Sequence, residues 1–362
     1  MSGQTRDSGQ RGSGGRATGD VRVAVPEEPT YVHGGSPGPG PRSTQQTRSR
    51  VGERRGVGER RGGGERRMVP REKPRSYYGR PVVKPPVWTW EVPLYFFTGG
   101  LGGASAALAY AAELAGNRRL ARSAWILAVE GASASPLLLT SDLGKPLRFL
   151  NMLRVFKVTS PMSVGSWLLT LTWAAVAPAA AFGVLGRPRI GRAAQPVAAA
   201  LGLPVATYTA ALVANTAVPV WSEARWELPL TFAAGAGASA GAAATILTSP
   251  EHAGPARRLA IGAAVVETVA AEVMEKRLGE LGEPYSQGAA GRLATAAKAL
   301  MAGGAALLAI GSKRSRPAVL AGAGMVLAGS LCERWAIFRA GFQSAEDPKY
   351  TVGPQGERLA AR

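Results

Sequence analysis

SDLGKPLRFLNMLRVFKVTSPMSVGSW, residues 141–167, is a basic interruption between two apolar runs. It carries Asp142, Lys145, Arg148, Arg154 and Lys157, whereas the runs on either side are built from Ala, Leu, Val, Gly and Ser. A helix needs about 20 apolar residues to cross the hydrocarbon core. Each flanking run is long enough, so the stretch reads as a loop at one membrane face joining two spans.

The same alternation extends in both directions. Eight segments can cross: 92–112, 121–140, 162–183, 194–215, 228–247, 259–273, 293–310 and 317–335. The sixth is the shortest and holds Glu267 and Glu272. None shows the period-2 alternation of a barrel strand. The expectation is an all-α integral membrane protein, a bundle of eight transmembrane helices with a disordered N-terminal tail. The expected parts are a tail over 1–87, the bundle over 88–340 and a C-terminal tail over 341–362. Small residues dominate the spans, as in GGLGGASAALAYAA (99–112) and AAGAGASAGAAA (233–244). In lipid such residues let helix backbones approach closely, although an alanine-biased genome produces the same pattern.

A net charge of +19 and a mean hydropathy of +0.01 average over two unlike parts. Residues 1–90 hold 18 Lys and Arg against 8 Asp and Glu. Within them VGERRGVGERRGGGERR (51–67) repeats GERR three times. So little apolar area does not offset the entropy of ordering, and the tail reads as a solvated linker. Its Arg clusters also suit anionic lipid head groups, and nucleic acid is not expected as a partner. With no apolar core before residue 92, there is no sign of a signal peptide.

An even number of spans puts both termini on one side. The opposite loops, 116–122, 186–192, 252–258 and 312–316, contain 11 Lys and Arg. The terminal side gains the tail's cations together with Arg334, Arg339 and Lys349. Exporting an Arg-rich tail without a signal peptide is difficult, so both termini are placed in the cytoplasm of a multi-pass plasma-membrane protein.

The single cysteine, Cys332, excludes an internal disulfide and a Cys-ligated cluster. The two histidines, His33 and His252, do not face each other inside a bundle, so no haem is expected. No metal site, nucleotide loop or nucleophile elbow is present. Any redox cofactor must come from a partner or be a diffusible quinone.

Ionisable groups within a span are costly and by default suggest function. Glu91 and Tyr95 lie four apart and share a helix face. With Trp88 and Trp90 they also suit an interfacial aromatic anchor. Tyr208 lies in LPVATYTAAL; the alternative there is a buried tyrosine bonding a backbone carbonyl. Glu130 lies mid-span and could pair with a cation, and Glu267 and Glu272 lie in the sixth span. Lys298 is close enough to an end to snorkel. Asp142, Lys145 and Arg148 could form only a loop salt-bridge cluster. A polar group of this kind at one membrane face, beside an apolar bundle, suits a quinone, whose ring takes one or two hydrogen bonds and a proton route.

Four pieces of sequence resemble the NrfD family of polysulfide-reductase-type membrane subunits. They are YFFTGGLGGA (95–104), DLGKPLRF…SPMSVGSW (142–167), PVWSEARWELP (219–229) and GFQSAEDPKYTV (341–352). The resemblance implies an eight-helix bundle without a bound redox centre. It implies docking of a four-cluster ferredoxin-like iron–sulfur subunit, beside a molybdopterin catalytic subunit, over a quinone or menaquinone site. Carried over by position, the quinone-binding residues are Glu91, Tyr95 and Tyr208. The resemblance also places Asp142 and Arg148 in the family's loop motif; with Lys145, Glu130 and Glu267, read from the residues themselves, they are the candidates for docking or proton transfer. Ser222 stands where the family pattern suggests a histidine, which weakens a proton role there. The competing readings are a proton- or ion-translocating module, drawing on Glu130, Glu267 and Glu272, and a purely structural anchor.

Overall fold

The computed structural model of the chain describes residues 81–141, 146–185, 188–311 and 315–360. The tail expected over 1–87 therefore lies outside the described residues up to position 80. All regular structure among the described residues is helical. The helices are α1 (Glu91–Leu114), α2 (Arg118–Ser141), the short α3 (Phe149–Met152), α4 (Pro161–Leu185), α5 (Pro188–Ala214) and the short α6 (Pro219–Glu223). They continue with α7 (Leu228–Leu247), α8 (Gly254–Leu278), α9 (Gly288–Gly311), α10 (Arg316–Glu346) and α11 (Lys349–Ala360). A 3-10 turn precedes α3 at Pro146–Arg148, and another, Gly279–Tyr285, joins α8 to α9.

Prolines set several starts. Pro161 opens α4, and Pro219, Pro229 and Pro317 sit in the first turns of α6, α7 and α10. A first-turn N–H has no helical acceptor, so its loss there costs nothing. Ser315 caps α10 by accepting from the Ala318 N–H.

Each of the eight expected segments coincides with one long helix, only Asn215 of 194–215 falling just past the end of α5, and most of the helices outrun their segments where polar residues continue the helix. Six are long and apolar enough to cross a membrane: α1, α2, α4 over 161–181, α5 over 193–214, α7 and α9. The other two, α8 and α10, carry charges. The expected eighth span stops at Trp335, but α10 runs to Glu346, so the boundary expected at 340/341 falls inside a helix.

The long helices form two groups. α1, α2, α4 and α5 pack on one another, as do α7, α8, α9 and α10; α1 and α5 join the groups through α7. Gly102 of α1 and Gly131 of α2 face each other so closely that a Cβ on either would overlap the other's backbone. Gly103 meets Gly202 of α5 in the same way, and Gly304 of α9 meets Gly322 of α10. The small residues thus sit where helices cross, which is the packing expected when lipid supplies no hydrophobic drive.

The two ends of the bundle are distinct. At one end Trp88 stacks on Trp221, with ring centroids 5.6 Å apart, and Trp221 packs against Phe338 and Phe342. The start of α1 and the last turns of α10 therefore share an end, called here the terminal end. At the other end the Asn117 amide donates to the His252 carbonyl. There Arg316 also donates to the Ile246 and Thr248 carbonyls, closing the C-terminal end of α7.

Candidate functional site

The terminal end of the first helix group encloses a cavity of about 190 Å³. Its wall is apolar apart from two phenols and one hydroxyl. α1 supplies Val92 and Tyr95 beneath Trp88; α4 supplies Gly165 and Ser166; α5 supplies Tyr208. The segment from 146 to 162 covers it with Phe149, Met152 and Met162. The loop whose sequence first marks the membrane boundary is thus the roof of this cavity.

Two features hold the tyrosines in place. Tyr95 is 2% exposed and packs against Phe96, which meets Phe232 of α7 edge to face. The Tyr208 hydroxyl donates to the carbonyl oxygen of Pro161, the first residue of α4. Gly165 makes room for the Tyr208 ring, since a Cβ there would overlap it. Gly165 is the glycine of SPMSVGSW, and its role was not assigned from sequence. The signal was present as a small residue at a fixed place in a motif that later proves to face an aromatic ring.

The other sequence-derived residues separate. Glu91 begins α1 and does not line the cavity. Its carboxylate accepts from the Thr89 hydroxyl, between the lining residues Trp88 and Val92. Arg148 is exposed on the roof next to Phe149. Asp142 and Lys145 lie outside the described residues. Glu130 points outward from the middle of α2, away from both groups' interiors. Glu267 lies in the second helix group, buried beside Arg334. Arg334, counted from sequence among the terminal-side loop cations, is 2% exposed inside α10. Lys298 does not snorkel freely; its ammonium pairs with Glu272 at 2.6 Å and Glu275 at 2.7 Å.

Sequence reasoning also passed over the long-range fit of two motifs. Trp221, in PVWSEARWELP, donates its indole N–H to the Ile337 carbonyl at 2.8 Å. Its ring lies where a Cβ on Gly341, in GFQSAEDPKYTV, would be. On the same end, Arg277 pairs with Glu227 and lies 3.8 Å from Glu223. No group of three metal-ligating side chains occurs among the described residues.

What these features define is a helical membrane domain with an apolar cavity at one face. The family model described as Polysulphide reductase, NrfD matches residues 81–258. Over that region the chain is NrfD-like, similar to a family of membrane subunits of molybdoenzyme complexes. Three of the four motifs fall within the match and GFQSAEDPKYTV lies beyond it. No curated protein matches the chain.

Proposed function

We propose that this protein is the quinone-reactive membrane anchor of a molybdopterin and iron–sulfur oxidoreductase. In this reading all eight long helices cross the plasma membrane, with both termini in the cytoplasm. Electrons pass between the nearest cluster of a four-cluster ferredoxin-like subunit and the quinone or menaquinone pool. The observation that carries the reading is that Tyr95 and Tyr208, from different helices, line one apolar cavity at a membrane face.

The lining suits a quinone ring. The volume is below the roughly 300–1,000 Å³ of drug-sized sites, so it takes a ring head group while the prenyl tail leaves towards lipid past exposed Met162. Tyr95 donates to one carbonyl oxygen of the ring. The Tyr208 hydroxyl bonds the Pro161 carbonyl, and donation to the ring replaces that bond. Quinol oxidation releases two electrons to the partner cluster and two protons. Glu91, between the cavity residues Trp88 and Val92, receives a proton on its way to bulk water. The roof, with Arg148 exposed and Asp142 and Lys145 in the same loop, is the docking face for the iron–sulfur subunit.

Steady-state quinone kinetics of the assembled complex test this. Tyr208→Phe is expected to raise the quinone KM, Glu91→Gln to lower kcat, and neither to release the iron–sulfur subunit. Unchanged kinetics in both variants would remove the quinone site from this cavity, with Glu130 or Glu267 the next candidates, and would leave the structural-anchor and ion-translocating readings standing.

A further inference from the structure

The second helix group buries charge that the quinone reading does not use. Glu267 of α8 and Glu333 and Arg334 of α10 are each 2–3% exposed. Arg334 lies 3.5 Å from Glu267, donates to the Phe232 carbonyl at 3.1 Å and covers the Phe232 ring at 4.1 Å. Gly235 of α7 leaves the space for this pair, because a Cβ there would overlap both side chains. Yet both Glu267 carboxylate oxygens, Oε1 of Glu333 and Nη1 of Arg334 have no hydrogen-bond partner. A cavity of about 10 Å³, lined among others by Glu267, Lys298 and Glu333, adjoins them. It has room for about one water.

Every helix of the group bears on the charge balance. α7 has no charged side chain. α9 contributes Lys298, its other cation, Arg292, being exposed at its start. α8 adds Glu272 and Glu275, both paired with Lys298, and the 3-10 turn after it adds the buried Tyr285 hydroxyl, also unpartnered. Four carboxyls, Glu267, Glu272, Glu275 and Glu333, thus face two cations, Lys298 and Arg334. At the innermost level two buried carboxyls face one guanidinium. Ionising both leaves one negative charge uncompensated in a membrane interior, where an unpaired charge is strongly disfavoured. A shared proton removes it.

We propose that Glu267 and Glu333 form a proton-binding site, separate from the quinone cavity and loaded from the terminal end only. A proton from the aqueous phase crosses the Glu272–Lys298–Glu275 cluster and a water that the adjoining void has room for. It binds a carboxylate oxygen of Glu333 or Glu267 and leaves by the same route. Beyond Glu267 no ionisable side chain follows on α8 until Arg258, nine residues or about 13 Å away. α7 has none at all, α9 none after Lys298, and α10 only the Cys332 thiol between Glu333 and Arg316 at the far end, among the described residues. The site therefore stores a proton and does not conduct one across the membrane.

Infrared difference spectra of the full chain in lipid nanodiscs, with isotope-labelled glutamate, test this directly. The expected result is a protonated-glutamate carbonyl band at neutral pH that disappears on alkaline titration. Glu267→Gln and Glu333→Gln should each abolish it, because a single remaining carboxylate is balanced by Arg334. Should either fail to fold, Glu267→Asp keeps a carboxyl and should shift the band without removing it. Lys298→Met should slow the band's response to a pH jump. The proposal is overturned if the wild-type chain shows no such band, if the band survives unchanged in the carboxyl variants, or if sodium displaces it.

Discussion

Helices α1–α5 enclose a cavity that no charged side chain lines, whereas α7–α10 enclose three charges and a void no larger than a water. Both groups are built from the same alanine and glycine vocabulary and close their crossings on facing glycines. They differ in what an additional glycine admits. Gly165 admits a phenol ring at the edge of a cavity; Gly235 admits an ion pair beside a void no larger than a water. Composition therefore sets how closely helices approach, and single glycines decide what fills the gap. The contrast also separates two chemistries: the first group can receive a neutral ring from lipid, and the second can hold only a proton or a water.

The largest effect expected is on the charged group. Arg334→Ala leaves Glu267 and Glu333 buried with no cation. Removing one partner of a buried pair costs about 3–5 kcal/mol, so thermal unfolding in nanodiscs should show a severe loss. Adding Glu267→Gln to Arg334→Ala should recover much of it. A wild-type melting temperature for Arg334→Ala alone would erase the contrast between the groups.

Next comes the glycine of the cavity. Gly165→Val forces the Tyr208 ring into the cavity, and overpacking of this kind costs about 1–3 kcal/mol. If the cost falls on ligand binding, quinone affinity drops about five- to 150-fold. Gly165→Val should thus act on quinone kinetics more than on stability, and Gly235→Val on stability more than on kinetics. Equal effects of both substitutions on both readouts would break the distinction.

These residues also show how far the sequence could be read. Loop 141–167 marks a membrane face because its charges cannot enter lipid, and the eight apolar segments each coincide with one of the eight long helices for the same reason. The periodicity of small residues does not say which glycine faces which helix, so the roles of Gly165 and Gly235 emerge only in three dimensions. Glu333 and Arg334 were hidden by position: they lie in the last turn of the expected span 317–335, where Arg334 counts as a cation of the membrane face and Glu333 draws no notice. α10 instead carries them inward, because the residues to Glu346 continue the helix and pack against Trp221. Tyr95 and Tyr208 were legible as polar residues in spans, while Glu130, equally polar, faces outward. Sequence registers the cost of a buried charge and not the direction in which a side chain points.

Tyr208→Phe sharpens the comparison at smaller scale. The lost hydrogen bond is worth about 0.5–1.5 kcal/mol, hence a three- to tenfold rise in quinone KM. The infrared band of the second group should not move. A change in that band on Tyr208→Phe would mean that the two groups are coupled.

The smallest effect concerns the C-terminal helix α11, which is tied to the terminal end outside the bundle. Lys349 donates to the Glu283 carboxylate at 2.7 Å, and the Tyr350 hydroxyl donates to the same oxygen at 3.2 Å. The ammonium of Lys349, with the Tyr350 hydroxyl, holds the Glu283 carboxyl below its ordinary value, and Glu283 holds Lys349 above its own. The signs then follow. The Glu283 contribution is present above the ordinary carboxylate range and is lost as pH falls through its lowered value. The Lys349 contribution is present below the ordinary lysine range and is lost as pH rises through its raised value. The tether is therefore complete across neutral pH and weakens only in acid or strong alkali. Because both groups are solvent-exposed, the effect is small and salt-sensitive. Hydrogen exchange of the α11 amides, corrected for intrinsic rates, should show slightly more protection at neutral than at acid pH. Glu283→Gln should flatten that difference while leaving α7–α10 protected. Equal loss of protection in α10 would show that the tail helix braces the charged group, and the separation between end and interior drawn here would fail.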